Sequence, residues 1–266
     1  MLRGGLLLSC LLAGCGGGGS DAVVEAAGEV AVTPAPAAAE PAPAASEPSP
    51  VAVLPGWTLL LNEEFDVAGL PDASKWGFDT ERNQLGWYNN EKQYYSANRL
   101  ANASVQNGML TITARKESLT GAADYGGQSY TSARLITRGK ASWTYGFFEV
   151  RAKLPCSLGT IHTKAYNYTG GTLGVGQGAS TTVADACANF HRYQLTWTAD
   201  RIVIGVDDRP YFQYAKPANA GNSTWPFDNP QYLLLNLAMG GDLGGPVPVN
   251  FVADQMAVDY VRVYQK

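Results

Sequence analysis

Aromatic rings, amides and a carboxylate are concentrated in the segment 83–95, which reads NQLGWYNNEKQYY. Asn90 and Glu91 lie near its centre, with a pair of aromatic residues on either side. Such a mixture suits sugar binding, because the CH faces of a sugar stack on flat rings while its hydroxyls form hydrogen bonds. Aromatic residues are also common in protein cores, so both interpretations stay open at this point.

Groups for acid–base or nucleophilic chemistry are few. Glu149 is the last glutamate of the chain, and the alternating pattern of its strand predicts that it faces solvent or pairs with a neighbouring base. His162 and His191 are isolated, which disfavours a Ser/His/Asp triad and a histidine metal site. We expect His191 at the surface, where a strand begins. Several aspartates fall in predicted turns or loops: Asp185, Asp207, Asp208, Asp228 and Asp242.

The elements that must position these residues are strands. Asn107-Gly108, between two strand-like runs, predicts a tight hairpin, and a second hairpin is predicted to turn near Asp207-Asp208. Helical periodicity is not sustained over ten residues anywhere in the chain. Many short strands separated by Gly, Pro, Asn and Asp predict an all-β sandwich of two sheets. Asn236 interrupts the apolar run LLLNLAM, so its amide is either satisfied locally or faces a cleft.

The N-terminal residues read as a targeting segment and a tether. Residues 1–14 carry one basic residue and a short apolar stretch, too short to span a bilayer, and end in the motif LAG before Cys15. This resembles a bacterial lipoprotein signal, which implies that Cys15 is lipidated; an ordinary signal peptide is the alternative. Residues 15–54 are rich in Gly, Pro and Ala and predict a linker without a core. The expected location is the cell envelope, at the outer membrane or cell surface rather than the inner membrane.

Residues 55–266 then form one domain of about 210 residues. The net charge of −4 and the lack of a basic run make nucleic acid an unexpected partner. We expect a monomer. Cys156 and Cys187 remain after the leader and the lipidated cysteine are set aside, and a disulfide between them is predicted for an oxidising compartment. Two free buried thiols are the alternative.

The domain resembles the family-16 glycoside hydrolases, the laminarinase and lichenase group of β-glucanases. The resemblance extends from end to end of the domain. It is carried, in order, by LNEEFD (61–66), SKW (74–76), NNEKQYY (89–95), YTSARLITRGKASWTYGFFEVRAKLP (130–155), GTIHT (159–163), YQLTWTADRIVIGVDD (193–208), WPFDNPQYLLLNLAMGG (225–241) and MAVDYVRVYQ (256–265). It implies a jelly-roll β-sandwich, concanavalin A-like, with a concave sheet that forms a glycan cleft.

The same resemblance exposes a gap. The family's retaining hydrolysis uses two glutamates on one strand, spelled Glu-x-Asp-x-x-Glu or with one x fewer, between the counterparts of FEVRAKLP and GTIHT. Here only Cys156 to Leu158 separate Pro155 from Gly159, and no glutamate follows Glu149. An internal deletion near 155–159 is therefore expected, and no catalytic pair is assigned. The loss of two strands would leave backbone groups on the flanking strands unpaired unless these strands re-pair.

Other positions of the family can still be carried over residue by residue. The residues expected to line the cleft are Asn90, Glu91, Arg134, His162, Trp225 and Asn236. Trp225 would stack on a sugar ring or, as the alternative, fill the edge of the sandwich. No cofactor is expected. A structural calcium ion is a further implication of the resemblance, with Glu64, the carbonyl of Gly108 and Asp259 as its ligands.

Three hypotheses about function follow. The first is a lipid-anchored relative of endo-β-glucanases that binds a β-glucan polysaccharide at most, because the catalytic strand is missing. The second is an active endo-β-1,3(4)-glucanase with relocated carboxylates, for which Glu91 and Glu149 are the candidates. The third is an active enzyme whose gene sequence is incomplete across codons 150 to 165.

Overall fold

The computed structural model of the protein describes residues 5–11, 54–156, 160–165, 168–169, 172–173, 177–221 and 224–266. Two 3₁₀ turns, Tyr88–Asn90 and Pro226–Asp228, and a four-residue helix α1 (Gly241–Gly244) interrupt the strands. The strands are β1 (Gly5–Leu11), β2 (Thr58–Glu63), β3 (Gly77–Phe78), β4 (Gln93–Tyr95), β5 (Ala103–Gln106), β6 (Met109–Arg115), β7 (Tyr130–Ser132), β8 (Arg134–Ile136), β9 (Gly146–Lys153), β10 (Thr160–Ala165), β11 (Tyr168–Thr169), β12 (Thr172–Leu173), β13 (Gln177–Thr182), β14 (His191–Trp197), β15 (Arg201–Val206), β16 (Arg209–Ala215), β17 (Tyr232–Ala238) and β18 (Ala253–Gln265). Within the described chain, no helix has the length and apolar character needed to cross a bilayer.

Two sheets form the body of the domain. The large sheet has the order β16-β15-β14-β9-β18-β6-β7-β4, with β2 also paired to β18 and β5 to β6. The small sheet has the order β1-β17-β8-β3. Side chains from both sheets, such as Phe148 of β9 and Leu235 of β17, are buried in one apolar core. The predicted all-β sandwich is therefore confirmed.

The two predicted hairpins are present because their turns carry residues that accept a positive φ. Asn107 and Gly108, with φ of 53° and 71°, connect β5 to β6. Asp207 and Asp208, with φ of 50° and 61°, connect β15 to β16. Asn, Asp and Gly tolerate the left-handed region, and two such residues in succession match the right-handed twist of a hairpin.

The strands before and after Pro155 belong to different sheets. β9 pairs with β14 and β18 in the large sheet, and the N–H of Leu154 donates to the carbonyl of Ala186 at 2.9 Å. β10 pairs instead with β13 in a separate antiparallel ladder from Thr160↔Thr182 to Ala165↔Gln177. The predicted junction is thus the point where the chain leaves the large sheet.

An N-terminal strand forms one edge of the small sheet. β1, which lies inside the predicted leader, pairs in parallel with β17 from Gly5↔Tyr232 to Leu11↔Ala238. In this structure the leader supplies the neighbouring strand and satisfies the backbone groups of that edge.

The predicted disulfide is not formed in the structure. Cys156 and Cys187 are free thiols, the first exposed and the second half-buried. They are nevertheless neighbours, because the backbone bond from Leu154 to Ala186 joins the segments that carry them, and Cys187 raises the pKa of the Cys156 thiol. Neither of the two sequence alternatives, a disulfide or two buried thiols, therefore describes them as they stand.

Candidate functional site

The outer face of the small sheet carries Arg134 and Asn236 side by side. In β17, Leu233, Leu235 and Leu237 belong to the core, so strand alternation places Asn236 on the opposite face. Asn236 is paired directly with Arg134 of β8 in the antiparallel ladder. Residues opposed in this way have their side chains on one face, and here the Asn236 side chain is fully buried beneath its neighbours.

The segment before β4 brings Glu91 to this face through Tyr95. The Asn236 side-chain amide donates to the Tyr95 hydroxyl at 2.6 Å, and that hydroxyl lies 3.5 Å from Glu91 Oε2. Gln93 Nε2 donates to the same Glu91 oxygen at 2.9 Å, while its Oε1 accepts the backbone N–H of Met239 at 2.7 Å. The chain around Glu91 is thereby fixed to the end of β17.

The backbone near Glu91 needs special residues. Asn89 and Asn90 have φ of 58° and 55°, in the left-handed region that asparagine tolerates. Gly241 has φ of 76°, and a Cβ there would lie 2.3 Å from the carbonyl oxygen of Asn89. The Asn90 amide then donates to Asp242 Oδ1 at 2.7 Å, which fixes the turn to the start of α1. This close approach explains why the second glycine of the motif NLAMGG is needed.

Burial and hydrogen bonding set the protonation of the two ionisable groups beside Asn236. Burial raises the pKa of Glu91, against hydrogen bonds from Gln93 and the charge of Arg134, which lower it. Burial also raises the pKa of Tyr95 well above its usual value, and the negative charge of Glu91 adds to this. The Tyr95 hydroxyl therefore keeps its proton, and Glu91 is a poorer acid than an exposed glutamate.

Arg134 is held rather than free. Its Nε donates to Asp79 Oδ2 at 3.0 Å, both side chains are largely buried, and its guanidinium lies 5.2 Å from the centre of the Trp87 ring. Trp87 in turn meets Tyr95 edge to face at 4.7 Å. Of the two interpretations left open for this aromatic segment, the core one applies to Trp87, which is buried and supports the Arg134 and Tyr95 side chains.

An exposed aromatic beside this cluster was not among the predicted site residues. Tyr88 is 57% exposed, and Arg82 stacks on its ring at 4.2 Å. An exposed, supported ring next to Asn90 is the type of surface on which a sugar face stacks. The sequence signal was present in the pair Trp87-Tyr88, but only the fold shows which ring is buried and which is exposed.

Trp225 does not line this face. It is 1% exposed, packs against Tyr214 and Phe227 at 5.4 and 5.1 Å between ring centres, and donates its indole N–H to Asp228 at 3.0 Å. The stacking role is therefore wrong for this structure, and the alternative, a tryptophan that fills the edge of the sandwich, is what the structure shows. His162 lies on β10, and its side chain is outside the described part of the molecule.

Glu149 lies in a different place from Glu91. Its β9 neighbours Phe148 and Val150 belong to the core, so Glu149 is on the outer face of the large sheet. It is buried there, where it accepts hydrogen bonds from the Tyr260 hydroxyl at 2.8 Å and from Gln194 Nε2 at 2.6 Å. The prediction of a solvated residue is wrong; pairing is correct, although the partners are chiefly neutral groups.

His191 begins β14, as predicted, but the expected surface position is wrong, because its side chain is only 11% exposed. Its Nδ1 lies 2.7 Å from Asp207 Oδ2, and Asp207 also accepts the backbone N–H of Arg192 at 2.9 Å. These bonds connect the start of β14 to the β15–β16 turn. A structural role accounts for the histidine.

Two of the residues proposed as calcium ligands, Glu64 and Asp259, have arginine partners in the structure. Arg262, 1% exposed, donates to both carboxylate oxygens of Glu64 at 2.8 and 3.0 Å, and Arg151 forms an ion pair with Asp259. Among the side chains that the structure describes, no group of three acidic, histidine or cysteine residues is arranged to hold a metal ion. The set Glu64, Gly108 and Asp259 thus does not fit a calcium ion as it stands, because two arginines already neutralise its carboxylates.

Comparison with known proteins identifies the family. Residues 158–262 match Glycosyl hydrolases family 16. The Beta-glucanase of Rhodothermus marinus is 39% identical over 257 residues, with 79% of this chain and 86% of that protein covered. Among solved structures, SCLam, a non-specific endo-β-1,3(4)-glucanase, superimposes with a TM-score of 0.73 at 44% identity, covering 82% of this chain and 94% of its own. The laminarinase from Rhodothermus marinus gives a TM-score of 0.68 at 38% identity, covering 80% and 99%.

The chain belongs to glycosyl hydrolase family 16, as the motifs had indicated, and its relatives include endo-β-1,3(4)-glucanases. The jelly-roll fold is confirmed by the same structures.

Proposed function

We propose that this family-16 protein binds a β-glucan without hydrolysing it. The observation that carries the proposal is the sequence at the β9–β10 junction, where three residues stand between Pro155 and Gly159 and no glutamate follows Glu149. A retaining mechanism needs two carboxyl groups about 5–5.5 Å apart. The chain offers no pair at the position where its family places one.

The alignment with the Rhodothermus marinus enzyme supports an internal deletion. It extends over 257 residues, yet the 79% of this 266-residue chain that it covers amounts to about 210 residues. The difference, about 47 positions, consists of residues of the relative without a counterpart here. The two strands expected to be missing, with their turns, would need roughly 30 residues.

A relocated catalytic pair is disfavoured by geometry. Glu91 contacts Gln93 and Tyr95 beside the small sheet, whereas Glu149 is bonded to Tyr260 and Gln194 on the outer face of the large sheet. The apolar core separates these two faces. Two carboxyl groups on opposite layers cannot attack and protonate the same glycosidic bond.

The cluster that remains is suited to binding. Asn90, Glu91 and Arg134 offer an amide, a carboxylate and a guanidinium close to the exposed ring of Tyr88, and Asn236 is fully buried behind them, where its amide holds the Tyr95 hydroxyl. A relative from Penaeus monodon, 28% identical over 43% of this chain, is named Beta-1,3-glucan-binding protein. We extend the proposal to attachment to the membrane through lipid on Cys15, at the outer membrane or cell surface, and to a monomeric state.

Binding is tested by titration calorimetry with laminarin and with mixed-linkage glucan. We expect the Tyr88→Ala and Arg134→Ala variants to lose at least tenfold in affinity, because each removes a group of the cluster. Asp200→Asn, in the exposed β14–β15 turn, is the matched control and should bind like the unaltered protein. Equal affinities for all four proteins would contradict the assignment of this face.

Hydrolysis is tested separately by release of reducing ends from the same glucans. We expect no release above that from a mock purification. Steady release that disappears in Glu91→Gln would overturn the proposal in favour of the active-enzyme alternative. Resequencing of the gene across codons 150 to 165 distinguishes a genuine deletion from an incomplete sequence.

A further inference from the structure

Two thiols meet where the chain leaves the large sheet and where it returns. Cys156 follows the end of β9 by three residues, and Cys187 lies in the turn before β14. The Leu154 N–H bond to the Ala186 carbonyl, 2.9 Å long, holds the two backbone segments together beside the thiols. The Cys156 thiol is exposed, Cys187 is half-buried, and this backbone bond keeps the two cysteines close to each other.

The segment between the two cysteines contains two ladders of its own. In the described part of the chain, β10 pairs with β13 and β11 with β12, and these two ladders are separate from the large and small sheets. A bond between the cysteines would close residues 156–187, 32 residues, into a loop that contains both ladders. Such a bond would fix the base of this segment against the ends of β9 and β14.

We propose that Cys156 and Cys187 are an oxidisable pair that forms a disulfide at the base of the β10–β13 segment. The oxidant is a disulfide compound, either a dithiol oxidase or oxidised glutathione. One cysteine thiolate attacks the oxidant's disulfide and releases one thiol; the second cysteine then displaces the mixed disulfide and releases the other. The two cysteine sulfurs lose two electrons and two protons in total, and the oxidant gains them as two thiols.

The surroundings of the pair predict the pH dependence of its oxidation. The hydrogen bond to Cys187 is the main cause that raises the pKa of the Cys156 thiol, with smaller contributions from burial and from the Asp254 carboxylate, while Lys153 lowers it. The attacking species is the thiolate. Oxidation by glutathione should therefore accelerate as the pH rises from 7 to 9. This proposal is independent of glycan binding and of catalysis.

The test uses the full chain incubated with oxidised glutathione, then alkylated and digested with trypsin without reduction. We expect peptide 154–164 joined to peptide 165–192, with both cysteines protected from alkylation. We also expect dithiothreitol to lower the melting temperature by about 10 °C, since closing a loop of this length restricts the unfolded chain.

Cys156→Ser and Cys187→Ser should melt like the reduced protein and should not respond to dithiothreitol. Cys10→Ser, made in the unprocessed chain that keeps β1, is the control and should keep the response. If the serine variants do not fold, the reduced and oxidised forms of the unaltered chain still give the comparison. Alkylation of both cysteines after oxidation, or attachment of either to glutathione alone, would overturn the proposal.

Discussion

Replacement of Tyr95 by phenylalanine isolates the contact on which the candidate site depends. The hydroxyl accepts the Asn236 amide at 2.6 Å, and both residues are fully buried. The variant removes one oxygen and leaves an amide N–H in the interior without this acceptor. A hydrogen bond contributes about 1 kcal/mol net, and a buried donor that loses its partner costs about 1–3 kcal/mol. We therefore expect a loss of about 2 kcal/mol in the free energy of unfolding.

Urea denaturation measures this effect. With a slope of about 2 kcal/mol per molar urea, the midpoint should fall by about 1 M without a change of slope. Laminarin affinity should fall about tenfold in the same variant, because the Asn236 amide and Glu91 are no longer oriented by one hydroxyl. A tenfold change corresponds to about 1.4 kcal/mol.

Tyr94→Phe is the matched control from the same strand. Its hydroxyl donates to Asp124, at 2.5 Å, away from Asn236, and its pKa is raised to about 12 by burial and by that carboxylate. Asp124 keeps the hydrogen bond from Asn83 Nδ2 at 2.9 Å in this variant. We expect a smaller loss, below about 1 kcal/mol, and unchanged affinity. If Tyr95→Phe unfolds and binds like Tyr94→Phe, the reasoning about the Tyr95–Asn236 contact is refuted.

Three further predictions concern stability. Hydrogen bonds from Arg99 are the main cause that lowers the pKa of Glu117 in the folded protein. The ionised carboxylate therefore stabilises the fold at pH values above its unfolded pKa of about 4.3. This stabilisation is lost as the pH falls through the lower pKa of the folded state. Glu117→Gln should therefore cost about 1 kcal/mol at pH 7 and almost nothing near pH 2; an equal cost at both values would contradict this. Trp225→Ala should cost about 3–5 kcal/mol in urea denaturation, because it empties a core position, and an effect below 1 kcal/mol would place the ring outside the core. Removal of residues 1–14 should accelerate hydrogen exchange at least tenfold for the β17 amides bonded to β1, whereas those bonded to β8 stay protected; uniform exchange along β17 would count against the pairing.

The sequence proposed residues for the candidate site but not their arrangement. The sequence named Asn90, Glu91, Arg134 and Asn236, and the structure brings these four together. It left the two interpretations of Asn236 equal, whereas strand alternation in β17 places the amide on the outer face and Tyr95 satisfies it there. Tyr88 was not among the predicted site residues. Which ring of the pair Trp87-Tyr88 is exposed depends on the residues that pack against them, and the sequence does not show this.

The sequence by itself determined what local chemistry controls. Asn-Gly and Asp-Asp set the two hairpins, because φ is decided by the residues that adopt it. Alternation predicted the strands, and the three residues between Pro155 and Gly159, with no later glutamate, are the basis of the proposed deletion. These features need no knowledge of distant contacts.

Only the tertiary structure decided which of the remaining residues meet. Trp225 is buried in the core, and Glu149 and Glu91 lie on different sheets. Glu64 and Asp259 form ion pairs with arginines, and the segments that carry Cys156 and Cys187 are hydrogen-bonded to each other. Each of these outcomes depends on side chains that are far apart in sequence and are brought together by burial of a shared core. The packing of the folded chain determines which side chains become partners, and the spacing of residues along the sequence does not predict these pairs.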